Sequence, residues 1–185
     1  MRFLMPTGWR QSKKKAQKAA KRSAVRRFGF SSRCPWGGMY DSNQIMLCLG
    51  SHRTTDNIRL KGAFTVSFAT AETVVSSDYV GIVSANDEPK KMEKAGFTVT
   101  KSEFVDAPLI NELPFAMECK LVKFNEDGIV VGEIVNVCAE ESILDAEGKL
   151  DAAKLGAIVC DPATGNYLKL GEAVGKAFHD GVQLK

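Results

Sequence analysis

Residues 115–139 read FAMECKLVKF-NEDG-IVVGEIVNVCA, and they decide the fold class. Phe115–Phe124 and Ile129–Ala139 are two apolar-rich runs of strand length. Asn125-Glu126-Asp127-Gly128 between them is a turn sequence whose glycine tolerates positive φ. Val130, Val131, Ile134, Val135 and Val137 load the second run with β-branched side chains. A hairpin this local argues against a doubly wound sheet, whose parallel strands need long crossovers.

Outward from the hairpin, the patterns stay mainly β. Asn43–Leu49 is a short apolar run between polar residues and reads as a buried strand. Thr54–Lys61 reads as a helix stopped by Gly62. Ala63–Phe68 alternates, with Phe64, Val66 and Phe68 on one side and Thr65 and Ser67 on the other. Asn86–Ala95 is expected to be a charged helix, with Pro89 in its first turn and Gly96 as its stop. Pro108 and Pro114 punctuate an irregular stretch, and Asp145–Gly148 is a second turn. Tyr167–Leu170 reads as a strand and Glu172–Phe178 as a short helical segment. There is no internal repeat. The sum is a small antiparallel barrel with a few peripheral helices.

At 44% hydrophobic and 25% charged residues, the composition is that of a soluble globular domain. No apolar run approaches the roughly 18 residues of a membrane span. Met1–Pro6 is too short for a signal-peptide core, and a lysine run follows it. A cytoplasmic protein is expected, with no membrane partner. Cys34, Cys48, Cys119, Cys138 and Cys160 are odd in number and form no CxxC pair, which points to reduced, mostly buried thiols. With only His52 and His179 in the chain, neither a zinc site nor a histidine-based catalytic pair is expected.

Charge is unevenly placed. Residues 1–35 carry eleven Lys and Arg and no Asp or Glu; the other 150 residues are acidic, at net −8. The shift marks a boundary near residue 35. Four readings of the basic segment stand open: an arm for nucleic acid or another anionic surface, an organellar transit peptide with Ala16, Ala19, Ala20, Ala24 and Phe28 as an apolar stripe, a stretch that is not the domain's original N-terminus, or a plain solvated extension.

Leu49-Gly50-Ser51-His52-Arg53-Thr54-Thr55-Asp56-Asn57-Ile58 runs from a buried strand through a polar turn into a helix. A helix N-terminus offers unpaired N–H groups and partial positive charge. Gly50 permits close backbone approach, Ser51, Thr54 and Thr55 add hydroxyl donors, and Arg53 and His52 add cationic ones. That is the donor set of a phosphate cradle. A plain N-cap is the alternative reading. No Walker loop or GxGxxG turn occurs.

Seven segments in order resemble the flavin reductase-like (flavoredoxin) family: Trp36-Gly37-Gly38-Met39, Ser51–Ile58 with Ala63–Ser67, Asp78–Ser84, Lys94–Phe97 with Val105–Pro108, Glu118-Cys119, Val131–Ile134 and Tyr167–Phe178. The resemblance spans Trp36 to Phe178 and implies an FMN-binding split β-barrel that forms homodimers. It further implies that Ser51, His52, Arg53 and Thr54 hold the FMN phosphate, with Gly50 beside them. Ser67 lies where the family places ribityl or ring contacts. Trp36 and Gly37 end a strand lining the flavin, and Tyr167 and Lys169 approach it from the tail; aromatic packing alone is the other reading of Trp36 and Tyr167.

The family's strands before the Trp-Gly-Gly motif have no counterpart here. Ser31-Ser32-Arg33-Cys34-Pro35 stands where flavin-touching residues are expected, and Lys13–Arg27 shows no strand pattern. The expectation is therefore a split barrel missing its first strands, with residues 1–35 as an atypical basic extension and 36–185 as the flavin domain. The expected function is electron transfer from a nicotinamide nucleotide or a protein donor to flavin or another acceptor. The alternatives are a cofactor-free remnant with an interaction role and nucleic-acid binding through the basic arm; the body's acidity argues against the second. No residue stands out as a general acid or base.

Overall fold

The protein is described by a computed structural model covering residues 11–13, 36–51 and 53–185, with backbone only at 11–13 and Trp36. His52, Cys34 and the rest of the basic segment, including its alanine stripe, lie outside the described residues. In chain order the elements are β1 (Gln11–Lys13), β2 (Trp36–Asp41), β3 (Gln44–Cys48), α1 (Arg53–Lys61), β4 (Ala63–Ser67), α2 (Val74–Ile82), α3 (Lys91–Lys94), β5 (Val99–Lys101), β6 (Pro108–Ile110), β7 (Phe115–Phe124), β8 (Ile129–Ala139), α4 (Ala152–Leu155), β9 (Ile158–Cys160) and β10 (Tyr167–Lys169).

The β7–β8 hairpin is the centre of the main sheet, whose order is β2-β3-β8-β7-β4 with antiparallel neighbours throughout. Its turn closes as the sequence implies. Asn125 Oδ1 accepts from the Ile129 amide at 2.8 Å, and Gly128 takes φ 82°. β3 pairs with the first half of β8, from Ile129 to Glu133. β1 runs parallel along the same edge further on, Gln11 to Lys13 against Val137 to Ala139. A strand inside the basic segment was not expected; a free sheet edge recruits backbone regardless of side-chain pattern. The sheet does not close on itself: β2 and β4 are its ends. The architecture is mainly β with few helices, an open form of the expected barrel.

One face of this sheet carries the principal core. Ile45, Leu47, Phe64, Phe115, Met117, Cys119, Val130, Ile134 and Val137 pack there with Ile58 of α1. A second core joins α2 to the β5–β6 hairpin through Val80, Phe97, Ile110 and Leu113.

Besides β1 and α2, neither of which the sequence marked, four stretches differ from the sequence expectation. The helix expected over Asn86–Ala95 is a single turn, Lys91–Lys94, preceded by turns. The stretch around Pro108 is not wholly irregular: β6 pairs with β5. β9 pairs with β10. Glu172–Phe178 is not helical, and its Val174 and Phe178 are fully exposed. A short segment with no surface to pack on does not hold a helix.

α2 ends on a lysine. Lys91 is 1% exposed, and its ammonium donates to the Val80 and Val83 carbonyls at 2.8 and 2.9 Å. These are carbonyls that the end of α2 leaves unpaired. Burial lowers the Lys91 pKa to about 8 from the ordinary 10.5. Between those values the unfolded chain binds more protons than the folded one, so Lys91 makes stability rise with pH across that window. Urea unfolding of the wild type and Lys91→Met, from about pH 7 to about pH 10, should show the wild type gaining on the variant as pH rises through 8. A constant difference would contradict this account.

Candidate functional site

The polar turn after β3 is positioned by the hairpin. The Leu49 amide donates to the Gly128 carbonyl at 2.9 Å. A Cβ on Gly128 would lie 2.2 Å from the Leu49 carbonyl oxygen, so a side chain there would push the turn away. α1 is fixed from several sides. Thr55 and Ile58 are buried, Arg59 stacks its guanidinium 4.0 Å over the Phe124 ring, and Lys61 pairs with Asp106 at 2.7 Å. This leaves the N-terminus of α1 facing the turn.

Gly50 and Ser51 are exposed, and Arg53 and Thr54 half-buried. The Thr54 hydroxyl oxygen is buried without a hydrogen-bond partner. A buried hydroxyl costs about 1–3 kcal/mol when unsatisfied, which marks it as a group awaiting one. The Ser67 hydroxyl, at the end of β4, is likewise buried and unpartnered. Thr65, two residues earlier on the same face, donates to the Pro108 carbonyl at 2.5 Å.

The other expected residues group differently. Gly37 is glycine for a local reason: a Cβ there would sit 2.3 Å from the Met46 carbonyl oxygen on the neighbouring β3. Trp36 opens β2 opposite Cys48. Tyr167 donates its hydroxyl to Asp78 of α2 at 2.8 Å. Lys169 lines a cavity of about 320 Å³ with Thr70, Thr73, Glu140 and Lys154. Gly50, Ser51, Arg53 and Thr54 thus form one group at the β3–α1 turn, whereas Tyr167 and Lys169 belong to the α2–α4 side.

Sequence reasoning assigned no role to the polar cluster in mid-sheet. Glu118 is fully buried on β7. One of its carboxylate oxygens accepts from Asn136 Nδ2 and, at 3.3 Å, from the Cys138 thiol, while Oε1 has no partner. The visible signal was a glutamate inside the apolar run FAMEC. Burial, with the neighbouring Glu118 charge adding to it, pushes the Cys119 thiol up to about 12, so it stays protonated and unreactive. Among the described residues no cluster of His, Cys, Asp and Glu is arranged to hold a metal.

Comparison with known proteins settles the family. The flavin reductase like domain matches residues 41–154, more than half of the chain. The chain belongs to the flavin reductase like family. A flavoredoxin of Desulfovibrio vulgaris (Miyazaki F) is 35% identical over 79% of this chain and 81% of its own, with a TM-score of 0.75. A flavoredoxin from Methanosarcina acetivorans is 29% identical over 81% and 82%, with a TM-score of 0.73. A protein with a split barrel domain from Shewanella frigidimarina shares the fold at a TM-score of 0.59 and 19% identity, covering 73% of this chain and 70% of its own. The chain spans only 31% and 59% of the lengths of two uncharacterized curated relatives, from Aquifex aeolicus and Archaeoglobus fulgidus. This flavin reductase-like chain therefore has the split-barrel fold, and its family points to a flavin-related redox role.

The unpartnered Thr54 hydroxyl gives a measurable consequence. Thr54→Val removes a group that makes no hydrogen bond, so the flavin-free protein should melt at the same temperature or higher. Calorimetry without added cofactor checks this; a fall of several degrees in Tm would mean that the hydroxyl already has a structural partner.

Proposed function

We propose that the chain is an FMN-binding oxidoreductase that passes electrons from a nicotinamide nucleotide or a protein donor to flavin or another acceptor. The observation that carries the reading is the buried, unpartnered Thr54 hydroxyl beside Arg53 at the N-terminus of α1. FMN, when bound, supplies the redox chemistry. The residues present suit its phosphate. Arg53 contributes a guanidinium able to grip two oxygens, Ser51 and Thr54 contribute hydroxyl donors, and the helix N-terminus contributes amides and dipole. Gly50 lets backbone approach, and His52 adds a donor. Ser67 is assigned to the ribityl or ring portion, Trp36 and Gly37 to the wall beside it, and Tyr167 and Lys169 to its tail-side border.

The flavin domain is taken as residues 36–185, with 1–35 as a separate basic segment, on the charge boundary between them. Cys48, Cys119, Cys138 and Cys160 are thiols rather than disulfides, which suits a reducing, cytoplasmic setting. Among the described residues no helix is long and apolar enough to cross a membrane. We assign a homodimer because Leu170, Val174, Phe178 and Leu184 expose apolar side chains along one tail, a pattern that marks an interaction surface.

Purified protein mixed with FMN and gel-filtered should carry flavin absorption in its own peak. Arg53→Ala should raise the FMN dissociation constant roughly 10–100-fold with an unchanged circular dichroism spectrum. A wild type that retains no flavin would refute the cofactor assignment. Deleting residues 171–185 should convert dimer to monomer in sedimentation velocity; an unchanged dimer would place the interface elsewhere.

A further inference from the structure

On the face of the sheet opposite the principal core, two buried oxygens lack partners: Ser67 Oγ on β4 and Glu118 Oε1 on β7. Their places are related by the strand register. Thr65 stands directly opposite Glu118, and Ser67 directly opposite Ala116. Ser67 and Glu118 are therefore diagonal neighbours on one face, with Cβ atoms about 7 Å apart. That spacing suits two hydrogen bonds through one water better than one direct bond.

The surroundings fix which way the hydrogens run. Thr65 has committed its hydroxyl hydrogen to the Pro108 carbonyl, so it has no proton to give Glu118. Asn136 Nδ2 and the Cys138 thiol both donate to the other oxygen of Glu118 and hold that side of the carboxylate. A carboxylate oxygen in that free place accepts, and among the described residues on this face Ser67 is the hydroxyl with a hydrogen to give.

We infer that Glu118 is a positioning residue: it takes the Ser67 hydroxyl hydrogen through one buried water and turns the Ser67 lone pairs toward the bound cofactor. The water has Glu118 Oε1, Ser67 Oγ and the lone pairs of Thr65 Oγ1 as partners, the number that ordered interior waters usually have. Ser67 then presents an acceptor, matched to an N–H at the edge of a flavin ring. Glu118 itself, enclosed in the sheet, does not touch the ligand. This rests on the flavin reading above, but the link from Glu118 to Ser67 stands apart from it.

Glu118→Gln is the sharp test. Asn136 and Cys138 would keep the glutamine oxygen where they now hold a carboxylate oxygen. The amide N–H would then occupy the free position and reverse the polarity of the water and of Ser67. FMN affinity, read by quenching of flavin fluorescence, should fall about tenfold in Glu118→Gln, about tenfold in Ser67→Ala, and no further in the double variant. Losses that multiply, or a Glu118→Gln protein that binds FMN like the wild type, overturn the proposal. A second arm uses no variant. A high-resolution crystal structure of the unaltered protein should show one water within hydrogen-bond distance of both oxygens, with or without FMN; its absence overturns the link. If the wild type binds no FMN, the cofactor reading fails and the water alone decides whether Glu118 is tied to Ser67.

Discussion

One backbone hydrogen bond, from the Leu49 amide to the Gly128 carbonyl, sets where the candidate site can be. It joins the end of β3 to the turn of the hairpin that centres the sheet. Because Gly128 combines φ 82° with an approach to Leu49 that leaves no room for a Cβ, turn geometry and site geometry are the same constraint. The polar loop then enters α1 at a defined angle, and α1 is held from above by Arg59 on Phe124 and from below by Ile58 in the core. A cradle built from loop residues is precise only when both of its ends are fixed this way.

The sheet divides the molecule's chemistry between its faces. The side bearing Phe64, Met117 and Cys119 is apolar and well filled. The other side carries Thr65, Ser67, Glu118, Asn136 and Cys138 on adjacent strands. Burying that many polar groups is costly unless each finds a partner. Most do: Thr65 uses the Pro108 carbonyl, and Asn136 and Cys138 use Glu118. The two oxygens that remain over are Ser67 Oγ and Glu118 Oε1.

What the sequence disclosed follows from how local each signal is. The β7–β8 hairpin, β3, α1 and β4 were legible within a residue or so, because their periods and their turn glycines sit inside a single window. α2 was not. Its opening Val74-Val75 favours a strand, and the helix is secured by Val80 against Phe97, Ile110 and Leu113 and by Lys91, all distant in sequence. β5, β6 and β9 have three residues each, too few to show a period. The donors proposed for a phosphate cradle could be grouped from sequence because they are consecutive. The role of Glu118 was not, since its partners lie 18 and 20 positions away on another strand.

The buried ammonium of Lys91 also makes the α2–α3 unit observable in time. An amine-acylating reagent reaches exposed lysines such as Lys90 and Lys101 directly, but it reaches Lys91 only when the carbonyls of Val80 and Val83 release it. Its modification rate therefore reports the local opening rate of that unit when labelling outpaces reclosing, and the opening equilibrium multiplied by the intrinsic labelling rate when reclosing is faster. The lysine that closes the helix thus serves as an internal clock for how often this part of the molecule comes undone.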